Sequence, residues 1–402
     1  MRRLLLLTLA LGTAAALHAQ SAGQTARQSA ERQPAGTYSL LYSFQCVTDG
    51  AYPENGLVRD SSGNLYGTTN AGGGSDAYGT VFQVTPGGAE TVLHSFAGSP
   101  SDGAYPQFGS LTLDAAGNLY GTTYSGGEFG WGAVYKLTPT GTETVLYSFC
   151  ANSSNGCPDG SEPYGGMALD SAGNLYGTAY SGGTQRAGVV FKLTPRGTES
   201  VLHDFGAFGD GSSPTGNLTR DASGNLYGTT GGASGTVFKV TATGTESVLY
   251  TFEGYPDGAA PVGGGLLRNR AGDLYGVTSR EGADGHGVVF RVTPEGTESV
   301  LLSFNGTGGG YPIDGLAGDA AGNLYGTTLN GGGGGCLADG CGVLFELTKA
   351  GREVVLHDFS VTSTRDGGNP DGGVVRDPSG TLYGTLSNGG AHGCGAVFKF
   401  TP

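Results

Sequence analysis

The chain has 402 residues, of which 80 are Gly and 17 are Pro, so Gly alone is about three times its usual share. Charged residues are scarce at 13%, and the balance is acidic at 20 Lys+Arg against 34 Asp+Glu, which excludes a basic nucleic-acid surface. Collagen is excluded because the glycines keep no three-residue period, and wholesale disorder because Val, Leu, Tyr and Phe recur in ordered positions.

Arg2 and Arg3 precede an apolar run from Leu4 to Leu17 that closes on Leu17-His18-Ala19 before Gln20. This reads as a secretory signal peptide over residues 1–19, too short for a membrane span. Its removal leaves 18 basic and 34 acidic residues, a formal charge of -16, which nucleic acid or an anionic membrane surface would repel. Residues 20–36 are polar and aperiodic, a flexible linker. No later stretch reaches spanning length and none near Thr401-Pro402 resembles an anchor. The expectation is therefore a monomer in the periplasm or extracellular medium, without a transmembrane segment in the mature chain.

From residue 37 onward one phrase repeats. Leu-Tyr-Gly returns with its tyrosine at Tyr66, Tyr120, Tyr176, Tyr227, Tyr275, Tyr325 and Tyr383. Around each anchor lie four short β-type runs, strands A to D, typified by GSLTLD, NLYGTT, AVYKLTP and TETVLYSF. The joints are Asp-x-x-Gly-Asn, a Gly-rich stretch, Thr-Pro-x-Gly-Thr, and a segment usually containing Asp-Gly-x-x-Pro, all with turn chemistry. A four-stranded unit of about 50 residues cannot bury both faces alone, so such repeats pack around an axis as propeller blades. Three aromatic positions recur and are expected to fill the space between blades. They are the Leu-Tyr-Gly tyrosine, an aromatic in strand C (Phe82 and Tyr135 in the first two units), and the Phe ending strand D (Phe44, Phe96).

The ordered region begins with a strand D lacking its own A, B and C, Thr37 to Phe44, and ends on a strand C without D, Val397 to Pro402. The two ends complete one blade, which predicts an all-β, seven-bladed propeller of four-stranded antiparallel blades, closed by pairing between the termini.

The repeated phrase, with Gly-Asn-Leu-Tyr-Gly-Thr-Thr, Gly-Thr-Val-Phe-Lys-Leu-Thr-Pro and Thr-Glu-x-Val-Leu-Tyr-Ser-Phe, resembles the bacterial GloVer (Gloeo-Verruco) tandem repeat from residue 37 to the end. The resemblance implies an exported bacterial repeat protein and supplies no biochemical activity.

Six cysteines in an exported chain point to disulfides. Cys150 and Cys157 bracket one D-to-A joint, and Cys336 and Cys341 one B-to-C joint. Cys46, just past the first strand D, and Cys394, just before the last strand C, should meet across the closing blade. A zinc site is the weaker reading, since only the isolated His392 stands near a cysteine.

No Ser-His-Asp set, paired catalytic carboxylate or phosphate loop stands at a single place, so no catalytic residue is assigned. His94, His203 and His357 fill a strand D slot held elsewhere by Tyr42, Tyr147 and Tyr250. Asp60, Asp114, Asp170, Asp221, Asp319 and Asp377 fall in A-to-B turns, where a carboxylate accepting backbone N–H groups accounts for them. A second set, Asp49, Asp102, Asp159, Asp210, Asp257 and Asp366, belongs to Asp-Gly-x-x-Pro. Those six read as turn residues, with the alternative that one end of the ring holds Ca²⁺ or a cationic ligand; otherwise no cofactor is expected.

The A-to-B and C-to-D turns are nearly constant, whereas the B-to-C and D-to-A joints vary, and strand alternation puts both variable joints on one end. Binding is expected there, with Tyr78, Tyr124, Phe129, Trp131, Tyr180, Arg186, Arg280 and His286 as candidates suited to sugar rings or a polar polymer. The sequence thus suggests a non-catalytic binding or scaffold module for a glycan, peptide or envelope component. The alternative is a propeller enzyme, a lactonase-like hydrolase or lyase, with a metal near the axis.

Overall fold

The structure is a computed structural model that describes residues 31–32 and 36–402, apart from 76–77, 108, 262, 334–335 and 337–338. The expected signal peptide and most of the expected linker lie outside the described residues. Short β-type runs separated by positive-φ glycine turns form seven four-stranded antiparallel blades, and Glu31–Arg32, in the segment expected to be a flexible linker, adds a short strand parallel to Val354–Val355 at the edge of blade 6. Blade 1 contains Val58–Arg59, Leu65–Thr69, Thr80–Val84 and Glu90–Ser95 as strands A to D, and the pattern repeats around the ring. Blade 7 takes Val375–Arg376, Leu382–Leu386 and Ala396–Thr401 from the end of the chain and Thr37–Ser43 from its beginning. Leu40 pairs with Phe398 and Tyr42 with Val397 across this join. The fold is the expected seven-bladed propeller closed by strand pairing between the ends of the ordered chain.

Every blade carries a β-bulge between strands C and D at one shared position, as between Val81 and Phe82 in blade 1, which adds twist to the outer half of the sheet. The Phe ending strand D of each blade packs edge-on or tilted against the strand C aromatic of the next. Seven such pairs circle the ring, from Phe44–Phe82 at 5.0 Å to Phe359–Phe398 at 5.2 Å. The glycine of Leu-Tyr-Gly lies beneath the strand C ring: a Cβ on Gly67 would stand 2.6 Å from Phe82 Cζ. The Leu-Tyr-Gly tyrosines fill the space between blades as expected, with Tyr176, Tyr227, Tyr325 and Tyr383 buried in the core clusters and the other three packed against them. Tyr66, Tyr120 and Tyr275 are only half-buried, and the Tyr66 hydroxyl donates to Asp60 of its own A-to-B turn at 3.1 Å.

Blade 5 reverses that turn. Asn269 and Asp273 exchange the usual places of Asp and Asn, keep the hydrogen bond between their side chains at 2.9 Å, and bring Asp273 to 3.0 Å from Arg291. The cysteines pair as Cys46–Cys394, Cys150–Cys157 and Cys336–Cys341, and the first spans the closing blade. No helix among the described residues is long and apolar enough to cross a membrane.

Candidate functional site

Each D-to-A joint runs beside the B-to-C joint of its own blade, as where Ala51 pairs with Ala71 and Gly310 with Asn330, so both variable joints occupy one end of the ring. At that end all seven blades turn in the same way. The residue before the joint proline has a left-handed backbone, φ 54–57°, at Tyr52, Tyr105, Glu162, Ser213, Ala260, Tyr311 and Asn369. None is Gly, and non-glycine residues held in this region mark backbone that its surroundings force. One further residue follows each proline directly on this turn.

That next residue differs in every blade: Glu54, Gln107, Tyr164, Thr215, Val262, Ile313 and Asp371. Five of them, Glu54, Gln107, Tyr164, Ile313 and Asp371, line one cavity of about 430 Å³ together with Asn70, Ser110 and Asp314. Among the described residues, no Lys, Arg or His lines the cavity. A belt of side chains near the axis holds the blades around it: Thr122 Oγ1 donates to the Gly165 carbonyl at 3.1 Å, Thr327 Oγ1 to Gly372 at 3.0 Å and Thr385 Oγ1 to Asn55 at 3.0 Å. Asn55 ties blade 1 to blade 2 by donating 2.7 Å bonds to Thr68 and the Pro106 carbonyl.

The acids come from three consecutive blades, 6, 7 and 1. Asp314 is buried and accepts the backbone N–H of Gly315 at 2.6 Å and that of Gly373 from the next blade. Burial outweighs these bonds and pushes its carboxyl up to about 6. Burial, with Asp314 adding repulsion, pushes Asp371 up to about 6, and burial together with the Asp371 charge pushes Glu54 up to about 7. Across the mouth Tyr164 packs against Tyr180 with ring centroids 5.2 Å apart, and burial followed by Tyr180, Tyr124 and Glu54 pushes its phenol up to about 12.

Of the eight aromatic and basic residues expected to bind, Tyr124 and Tyr180 join this tyrosine group. The others are spread around the rim: Tyr78 packs on Tyr105 at 5.5 Å, His286 on Tyr311 at 5.6 Å, Phe129 and Trp131 are exposed in one joint, and Arg186 and Arg280 are exposed in two others.

The six Asp-Gly-x-x-Pro carboxylates also lie apart, one at each of six blade junctions, where each is met by a strand D side chain. Asp102 lies 3.0 Å from His94 Nε2, Asp210 3.4 Å from His203 and Asp366 3.1 Å from His357. Tyr42, Tyr147 and Tyr250 donate their hydroxyls to Asp49, Asp159 and Asp257. Five of these aspartates also face a glutamate beginning strand D of the next blade. Among the described residues one group, His94, Asp102 and Glu143, offers three ligand atoms all within 4.8 Å of one another. It is a junction cluster at the first of these positions, remote from any shared ring of six.

Fold and site together define a seven-bladed propeller with a repeat-built frame and one non-repeating axial cavity. The chain belongs to the Gloeobacter/Verrucomicrobia repeat family, which matches residues 12–235 and 231–402. No curated protein matches it. Among solved structures it is similar to the extracellular domain of BT3049, described as a hybrid two component system of B. thetaiotaomicron. The two are 13% identical with a TM-score of 0.56, over 92% of this chain and 42% of that one. It is also similar to the extracellular domain of BT4673, described as a one component system of the same organism, at 10% identity and a TM-score of 0.50, over 87% and 39%. The chain thus spans about two fifths of the length of these proteins. A gluconolactonase from Xanthomonas campestris is similar at 17% identity with a TM-score of 0.44, over 73% of this chain and 87% of that one.

Sequence reasoning missed Glu54, Gln107, Tyr164, Asp314 and Asp371. For all but Asp314 the available signal was the position directly after the joint proline, where all seven units differ beside an invariant residue.

Proposed function

We propose that this protein is an exported, non-catalytic binding propeller that takes a small polar ligand in the axial cavity. The observation that carries the reading is the contrast between a frame repeated seven times and a cavity lined by residues that do not repeat. A passive spacer has no use for a Glu, a Gln, a Tyr and an Asp at equivalent positions around one axis. A volume of about 430 Å³ lies within the range of small-molecule sites. Export follows from the signal peptide expected over residues 1–19, and three disulfides suit an oxidising compartment.

Thermal shift of the mature protein against small saccharides, amines and divalent ions, repeated on Tyr164→Leu, tests this reading. A ligand at a hundredfold excess over its dissociation constant stabilises by about 2.7 kcal/mol. The expected result is a shift that Tyr164→Leu abolishes. A shift that survives in Tyr164→Leu but disappears when Trp131 and Phe129 are replaced would move the site to the rim.

A further inference from the structure

We infer that the ligand of the axial cavity is a small organic cation bearing an ammonium group, held between the acids of blades 6, 7 and 1 and the tyrosines of blade 3. The inference rests on the axial reading above and names its ligand class. Three observations carry it.

The first is the excess of acceptors. Glu54, Asp314 and Asp371 face one cavity, and among the described residues no basic side chain lines it. Asn70 adds a buried Oδ1 that has no hydrogen-bond partner. A buried acceptor without a donor is costly, and a ligand rich in N–H groups satisfies it.

The second is the segregation of the lining. Acids fill one arc, while Tyr164, with Tyr180 against it, stands on another. A carboxylate arc facing an aromatic wall suits an ammonium ion, which gains from charge on one side and from the ring face on the other. A neutral sugar would use the aromatic wall and leave three carboxyl groups crowded without a counter-charge.

The third is spacing. The axial acids are absent from the groups of described residues whose ligand atoms gather within 4.8 Å, so they are not set for a single metal ion. Acids spread along an arc match a cation with two or more amines, or one ammonium group that takes acceptors from several sides. The ionisable groups facing this space are Glu54, Asp371, Asp314 and Tyr164, with Tyr124, Tyr180 and Glu162 behind the tyrosine. The phenol of Tyr164 stays neutral through ordinary pH, so the carboxyl groups alone change charge between pH 5 and 8.

Isothermal titration of the mature protein with ethanolamine, putrescine and spermidine, and with glucose and CaCl₂ as contrasts, tests the inference at pH 5.5 and 8.0. The expected result is one-to-one binding of at least one ammonium probe, roughly tenfold tighter at pH 8.0 because the carboxyl groups are then ionised, with protons released to the buffer at pH 5.5. Glu54→Gln/Asp371→Asn should weaken it at least about tenfold while keeping the circular dichroism and melting behaviour of the parent. Should the double variant fail to fold, Glu54→Gln alone, at a half-buried side chain, gives the same readout. Binding of glucose or Ca²⁺ alone, lost in Tyr164→Leu, would overturn the ammonium inference and leave the axial site standing. Binding of no probe would overturn the inference, and a rim-located ligand would overturn the axial reading as well.

Discussion

His94 Nε2 lies 3.0 Å from the Asp102 carboxylate, across the joint from blade 1 to blade 2, and Glu143 of blade 2 faces the same carboxylate. The arrangement repeats as Tyr or His, Asp and Glu at five junctions. Where blade 5 meets blade 6 it is broken on two sides at once: Leu302 fills the Tyr/His slot and Gly308 the Asp slot. The carboxylate and its partner are thus absent together at that junction. That supports a structural role for Asp49, Asp102, Asp159, Asp210, Asp257 and Asp366.

These junctions make stability depend on pH. Burial, with the neighbouring aspartate adding to it, pushes Glu90, Glu143, Glu199, Glu246 and Glu298 from an ordinary 4.5 up to about 7. A carboxyl raised on folding binds its proton more tightly in the folded state, so its contribution is full below about 4.5 and is lost as pH rises through about 7. The turn carboxylates work in the opposite sense. Asp114 and its equivalents are buried somewhat, but bonds from Asn118 and Tyr120 hold them below 3.8, and that stability fades in stronger acid. Melting temperature should therefore be higher at pH 5 than at pH 8 and fall again below about pH 3.5. Replacing Glu90, Glu143 and Glu199 together by Gln should flatten the fall between pH 5 and 8; an unchanged slope would refute the assignment.

Two glycine exchanges should act in opposite directions. Gly67→Ala places a Cβ 2.6 Å from Phe82 Cζ and 2.9 Å from Leu57 Cδ2, both packed core atoms. Overpacking of this kind costs about 1–3 kcal/mol, measurable by urea unfolding. Ala260→Gly relieves a left-handed residue at φ 54°, and should be neutral or stabilising by up to about 1 kcal/mol in the same assay.

Reduction should loosen the ring at its closure first. The Cys46–Cys394 bridge spans 348 residues, and the loop-entropy argument assigns it on the order of 5 kcal/mol as an upper limit. Cys150–Cys157 spans only 7, for which the same argument gives about half. Cys46→Ser/Cys394→Ser should lower the unfolding midpoint more than Cys150→Ser/Cys157→Ser, and the reverse order would contradict this account of closure.

The frame was legible in the sequence because it is written seven times: Leu-Tyr-Gly, the strand D Phe and the incomplete first and last units determine blades, packing and closure. The axial site was not, because its residues are singletons. Glu54, Tyr164 and Asp371 share neither residue type nor neighbourhood, and only the circular path of the chain brings together positions more than 300 residues apart. Searching for likeness between units selects against residues that matter by differing. Tyr124 and Tyr180 are conspicuous as aromatics in variable joints, whereas a Glu following a Pro is not.

Hydrogen exchange of the mature protein with and without the tightest-binding probe tests the central claim most directly. Binding at the axis predicts added protection in peptides covering residues 51–57, 161–166 and 369–374, with the rim joints at 127–132 and 183–188 unchanged. Protection confined to those rim joints would place the site on the outer loops and contradict the axial account.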